Sequence, residues 1–121
     1  MTEKNRYQLG CWGERKAKAY LQKKEYLIRE MNFNLKIGEI DLIAQKNNFI
    51  VFIEVKTRRT KSFGPPQAAV DERKKFRIRN VARAYLANSP SLMNLNRRFD
   101  VITVFVSKQQ KISISHFKNA F

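Results

Sequence analysis

One cysteine, one histidine, one tryptophan, three prolines and four glycines are all that 121 residues hold of the types that staple, ligate or break a chain. Cys11 has no partner for an internal disulfide and belongs to no Cys/His ligand cluster, so it reads as a helix residue in a reducing compartment. His116, with no Cys or His beside it, reads as a strand residue in preference to a metal ligand. Ser113 and Ser115 have no plausible His/Asp partners, which argues against serine-nucleophile chemistry. No glycine-rich phosphate loop is present, which argues against a nucleotide-dependent enzyme. The longest uninterrupted apolar run, "FIVFI", is far too short to span a bilayer. The opening "MTEKNRYQLG" lacks the apolar core of a signal peptide. A cytoplasmic location without membrane insertion is the expectation. No Pro/Gly/Ser-rich linker, repeat or low-complexity segment divides the chain, so one domain over 1–121 is expected.

Acidic residues are scarce as well. Twenty-five Lys and Arg stand against ten Asp and Glu, a formal net charge of +15. Such an excess attracts polyanions, nucleic acid first and an anionic membrane surface second. The bases are clustered: Arg73 to Phe99 contains eight Lys or Arg and no acid. With 43% hydrophobic and 29% charged residues the chain has the composition of a folded protein, not a disordered one.

The patterning predicts a helix over Asn5 to Lys24, with Leu9, Ala17, Tyr20 and Leu21 apolar and Gly10 and Gly13 weakening it. Three strands follow: "YLIREMNF" (26–33), "GEIDLIAQ" (38–45) and "FIVFIEVKT" (49–57). The last two are separated by "KNN", where Asn tolerates positive φ. A second helix begins near Pro66, placed in its first turn. Ile78, Val81, Ala82, Tyr85 and Leu86 supply its amphipathic stripe. "RRFDVITVFVS" (97–107) and "KISISHF" (111–117) read as strands joined through "KQQ". Trp12, Tyr20 and Tyr26 read as core aromatics in preference to base-stacking ones. The order α-β-β-β-α-β-β is an α/β arrangement, a sheet with helices packed on one or both faces.

The second and third strands each carry an acid inside an apolar run, Asp41 and Glu54. Strand alternation places Glu39, Asp41 and Ile43 on one side of the second strand and Ile50, Phe52, Glu54 and Lys56 on one side of the third. A turn centred between Asn47 and Asn48 makes paired residue numbers sum to 95, which sets Asp41 opposite Glu54. Opposed Cβ atoms lie roughly 4.5–5.5 Å apart, and like charges so placed repel. A cation must stand between them, or one must take up a proton. Mg²⁺ (or Mn²⁺) accepts carboxylate oxygens from only one or two protein ligands. Lys56, roughly 6.6 Å along the same face by strand rise, is near enough to act on a water or phosphate and too far for a simple ion pair with Glu54. The competing reading is a solvated strand face on which Asp41 caps a turn, Lys56 pairs with Glu54 or Glu39, and no metal binds.

Glu14 shares a helix face with Gly10, Ala17 and Leu21. It either points to the acidic pair as a further metal ligand or water-positioning group, or pairs with Lys18 at the surface. Lys74, one turn before Ile78, either snorkels outward or reaches the face bearing the acids. Gln67 is a polar candidate to line the same cleft. Arg58, Arg59 and Lys61 suit phosphate contacts, or form a solvated loop.

These residues carry a resemblance. "GEIDLIA…VFIEVKTR", "GCWGERKAKAYLQKKEY", "FGPPQAAVDERKKFRIRNVARAYL" and "RRFDVITV" resemble, in order and over nearly the whole chain, the motifs of the YraN-like family of small bacterial proteins. That family looks related to restriction-endonuclease-like nucleases and archaeal Holliday-junction resolvases. The resemblance implies the restriction-endonuclease-like fold, a central mixed sheet flanked by helices, with a site written D…E-x-K. Residue by residue it implies Asp41 and Glu54 as metal acids, Lys56 as catalytic lysine and Glu14 as the helix-borne acid, with Lys74 and Gln67 facing them. One departure is Asn34, where the family usually has arginine. The resulting expectation is a metal-dependent nuclease acting on DNA, branched or structured DNA included. The alternatives are a non-catalytic nucleic-acid-binding protein assisting repair or recombination, and a peripheral protein held on anionic lipid. A homodimer would suit symmetric two-strand cutting.

Overall fold

The computed structural model describes residues 2–59 and 70–121. Helix α1 (Glu3–Lys23) is followed by strands β1 (Leu27–Leu35), β2 (Gly38–Lys46) and β3 (Phe49–Arg58), helix α2 (Glu72–Ala87), a 3₁₀ turn (Pro90–Leu92), and strands β4 (Asn96–Val106) and β5 (Ile112–Phe117). The five strands form one sheet in the order β1-β2-β3-β4-β5. All neighbours are antiparallel except β3 and β4, whose parallel pairing follows from the crossover through α2.

Local chemistry accounts for the boundaries. The Thr2 hydroxyl accepts from Asn5 N (3.1 Å), capping α1. The Asp71 carboxylate accepts from Lys74 N (2.8 Å), capping α2. The second helix is therefore fixed to start at Glu72. Val70, just before the cap, is buried. Pro66, Gln67 and Lys61 lie outside the described residues. The two-residue turn between β2 and β3 has Asn47 at φ 53°, the left-handed conformation that Asn tolerates.

Each face of the sheet carries one helix. Ala17 and Leu21 of α1 bury against Leu42, Ala44, Val51, Ile53, Ile102 and Val104. Ile78, Val81, Ala82 and Leu86 of α2 bury on the other face, against Ile40, Ile43, Ile50, Phe52 and Val101. The result is a three-layer α/β/α arrangement around a mixed sheet. No helix is long and apolar enough to cross a membrane among the described residues.

Candidate active site in a fork of the sheet

β2 and β3 pair from Lys46–Phe49 to Leu42–Ile53, every pair summing to 95 as the turn predicts. Beyond that pair the two strands part. β2 stays with β1 out to Gly38, and β3 stays with β4 out to Arg58, so the parting opens a fork. Asp41 stands at its apex. Its Oδ2 accepts from Val55 N (2.8 Å), taking a donor that a continued backbone ladder would have used.

The fork is accompanied by a local inversion. β1–β2 pairing skips the pair Asn32–Asp41, and Asn32 has φ 52°. On both strands the buried face changes across this point. Met31 and Leu42 pack toward α1, whereas Phe33 and Ile40 pack toward α2. The expected alternation, with Ile40 beside Leu42 and Ala44, therefore fails at Asp41: Ile40 joins Ile43 on the α2 side. β3 keeps strict alternation, and Glu54 follows Ile50 and Phe52 on the α2 side.

Asp41 and Glu54 meet in this fork. Glu54 is 5% exposed. Burial, then the hydrogen bond and charge of Glu54, push the Asp41 carboxyl up to about 10. Burial would raise Glu54 too, but its hydrogen bond with Asp41 and the charge of Lys74 outweigh that and hold it below the ordinary carboxylate range. The pair thus shares one proton, and Asp41 carries it. Glu54 Oε2 is buried without a hydrogen bond of good geometry; its companions are two ammonium groups. Lys74 forms the close ion pair. Lys56 Nζ stands 3.9 Å away, at the limit of an ion pair and nearer than strand rise alone predicts.

The lysines divide in character. Burial would lower Lys74, but the Glu54 carboxylate holds it above the ordinary range. Burial lowers Lys56, and the positive charges of Lys74 and Arg58 add to that against the pull of Glu54. Of the two readings of Lys74, the one that reaches the acids is observed. It is a counter-ion of Glu54.

Glu14 comes to the fork from α1. A Cβ on Gly13 would overlap Thr57 Oγ1, so only glycine lets the helix rest this closely on the end of β3. The adjacent Glu14 turns its carboxyl to Asn32 and Asp41, not into an ion pair with Lys18; burial raises it, Asn32 opposes, and Glu39 adds repulsion. Among the described residues no set of three or more His, Cys, Asp or Glu side chains is arranged to hold a metal ion. Glu14, Asp41 and Glu54 form an acidic pair with a third carboxyl beside Asp41. Arg58 Nη1 donates to Thr57 O (3.1 Å). Arg59 lines a different cavity, with Trp12 and Arg15.

A cleft of about 340 Å³ opens on the acids, lined by Asn34, Glu39, Asp41, Glu54, Lys74 and Arg77. Asn32 and Arg77 escaped the reading of the sequence. Asn32 sits in a strand-like run with nothing to mark its positive φ, and Arg77 is one of many bases on α2. A second network was missed as well. Asp100, 0% exposed, accepts from Arg98 (3.0 and 2.9 Å), from Asn119 N (2.9 Å) and contacts His116 Nε2 (2.6 Å). Burial would raise Asp100, but His116 and Arg98 hold it below the carboxylate range. Arg98 also donates to the Tyr26 hydroxyl (2.6 Å), which joins this network to the segment before β1. The signal available was the lone histidine one strand away from an Arg-Arg-Phe-Asp run.

An α-β-β-β-α-β-β chain with one mixed sheet between two helices is consistent with the restriction-endonuclease-like class of folds. The model of the uncharacterised protein family UPF0102 matches residues 13–104, and the chain belongs to that family. It is 44% identical to a UPF0102 protein of Caldanaerobacter subterraneus subsp. tengcongensis over 123 aligned residues, covering 100% of both chains. A UPF0102 protein of Alkaliphilus metalliredigens is 46% identical, over 93% of this chain and 96% of its own. One from Geobacter sulfurreducens is 41% identical, over 93% and 88%.

Proposed function

We propose that the protein is a metal-dependent nuclease that hydrolyses phosphodiester bonds in DNA, with branched or otherwise structured DNA as its substrate class. The observation that supports this most is the Asp41–Glu54 contact, in which two carboxyls are forced together and one stays protonated unless a cation takes the proton's place. Asp41 and Glu54 are the residues that would hold Mg²⁺ or Mn²⁺, with Glu14 behind Asp41; few protein ligands, all oxygen, are what these ions accept. When bound, the ion supplies charge neutralisation and polarisation at a phosphate. Lys56, its pKa lowered, is suited to orient a water and hold or take a proton at Nζ. Lys74, released from Glu54, is free to neutralise a phosphate oxygen. Arg58, Arg59, Lys61, Gln67 and Arg77 belong to the proposed contacts with flanking phosphates, which position a strand without reading its sequence. Two copies in a homodimer would serve symmetric cutting. DNA as substrate and a lone thiol both suit the cytoplasm.

The Lys74–Glu54 ion pair favours a second reading, nucleic-acid binding without turnover, because it already neutralises the acid that a metal would need. Incubation of the purified protein with branched, single-stranded and duplex DNA in Mg²⁺ or Mn²⁺ separates the two. The nuclease reading predicts products that fall by roughly 100-fold or more in Glu54→Ala and Lys56→Ala. Undiminished cleavage by either variant would contradict it. Tight, salt-sensitive binding with no products under any metal selects the second reading.

A further inference from the structure

Helix α1 rests on the sheet at Gly13, and its neighbours turn to opposite flanks of that contact. Glu14 goes to the fork. Trp12, about 200° away around the helix, lines a separate cavity of about 630 Å³ between α1, the end of β3 and the turn after β4. That volume lies within the rough 300–1,000 Å³ range of small-ligand sites. Trp12 packs partly against the α1-side core, as its core reading expects; its cavity-facing side gives the lining its one aromatic surface, beside two guanidinium groups, Arg15 and Arg59, and the amides of Asn5, Gln8 and Gln110. Lys16 adds an ammonium 5.6 Å from the indole centroid. Among the described residues no carboxylate lines the cavity, and neither Arg15 nor Arg59 is ion-paired.

A π surface, amides that both donate and accept, and unpaired cations match the parts of one nucleotide: the base plane, its polar edge and its phosphate. We propose that this cavity seats one unpaired nucleobase of a nucleic-acid strand, stacked on Trp12 with its adjoining phosphate on Arg15 and Arg59. A fully paired duplex keeps its bases inside the stack and cannot fill it. The cavity therefore selects strands with single-stranded or unpaired positions. The assignment rests on the proposed action on DNA, but not on cleavage.

Trp12 is the chain's sole tryptophan, so its emission reports on this cavity alone. The full chain carrying Glu54→Gln, in EDTA, is titrated with an oligothymidylate, with an abasic strand of equal length and charge, and with dTMP. The anisotropy of a labelled strand reports binding independently. The thymidylate strand is expected to bind roughly tenfold more tightly than the abasic one and to quench Trp12 at least about twice as strongly at saturation. The double variant Arg15→Ala/Arg59→Ala is expected to reduce the slope of log affinity against log salt by about 0.7, one phosphate contact on a single strand. Equal quenching by the base-bearing and abasic strands at saturation overturns the proposal. Quenching by dTMP as strong as by the strand reassigns the cavity to a free nucleotide and overturns it as stated. Cleavage by the native chain without base-dependent quenching sinks this assignment alone. Base-dependent quenching without cleavage under any metal sinks the nuclease reading alone. No binding of either strand overturns this assignment alone.

Discussion

At the scale of single residues, the decisive feature is where Asp41 keeps its proton. A carboxyl whose folded pKa lies far above its ordinary value costs stability as the pH rises between the two, because the unfolded chain loses its proton first. For Asp41 that window runs from its ordinary 3.8 to about 10. Glu54 works in the other direction: lowered in the fold, it contributes stability above the ordinary carboxylate range that is lost as the pH falls through its folded value. Asp41→Asn retains an acceptor for Val55 N and mimics the protonated acid. Metal-free at pH 8, this variant should melt higher than the native chain, by about 4 °C or more for a domain of this size. The gap should close toward pH 4. Mg²⁺ should raise the native midpoint and leave the variant's unchanged. Thermal melts in EDTA and in Mg²⁺ across that pH range check all three, and a native chain more stable than the variant in EDTA at pH 8 would contradict the shared-proton account.

At the scale of elements, the fork depends on how α1 approaches β3. Gly13 is the contact, and beyond Thr57 Oγ1 a Cβ there would also meet the Thr57 Cβ at 2.9 Å, whereas Gly10 has nothing within 4 Å. Gly13→Ala should therefore cost about 1–3 kcal/mol by overpacking, and Gly10→Ala should gain up to about 1 kcal/mol of helix propensity. Urea midpoints of the two variants provide the test, and a neutral Gly13→Ala would show that α1 can sit elsewhere. Much at this scale was legible beforehand. The Asn47–Asn48 turn set the β2–β3 register, and a period of two placed Glu54 beside Phe52. The inversion at Asn32–Asp41 was not legible, because periodicity assumes regular strands and a single left-handed Asn leaves no mark on the pattern. The pairing of Lys74 with Glu54 was open for a related reason: a lysine's long stem reaches either side of a helix, and only the placement of α2 against β3 decides which. The Asp100 network was hidden because its members lie on β4, on β5, before β1 and after β5, so only the folded sheet assembles them.

At the scale of the whole molecule, the sheet keeps its two helices on opposite faces, and the proposed site lies where strands separate. A net charge of +15 creates a field that favours polyanions, as the proposed action on DNA needs. The fork brings Asp41, Glu54 and Lys74 to a cleft, with Lys56 beside Glu54, and Gly13 sets Trp12 and its cations on the far flank of α1. Substrate would then meet two chemically different sites separated by a single helix. The account depends above all on the fork exchanging a proton and a lysine for a dication. The most direct measurement is anomalous diffraction from crystals soaked in saturating Mn²⁺. The account predicts one peak within about 2.3 Å of both an Asp41 and a Glu54 oxygen, with the Lys74 ammonium withdrawn from Glu54. A fork without a peak at saturating metal, with Lys74 still bound to Glu54, would contradict it.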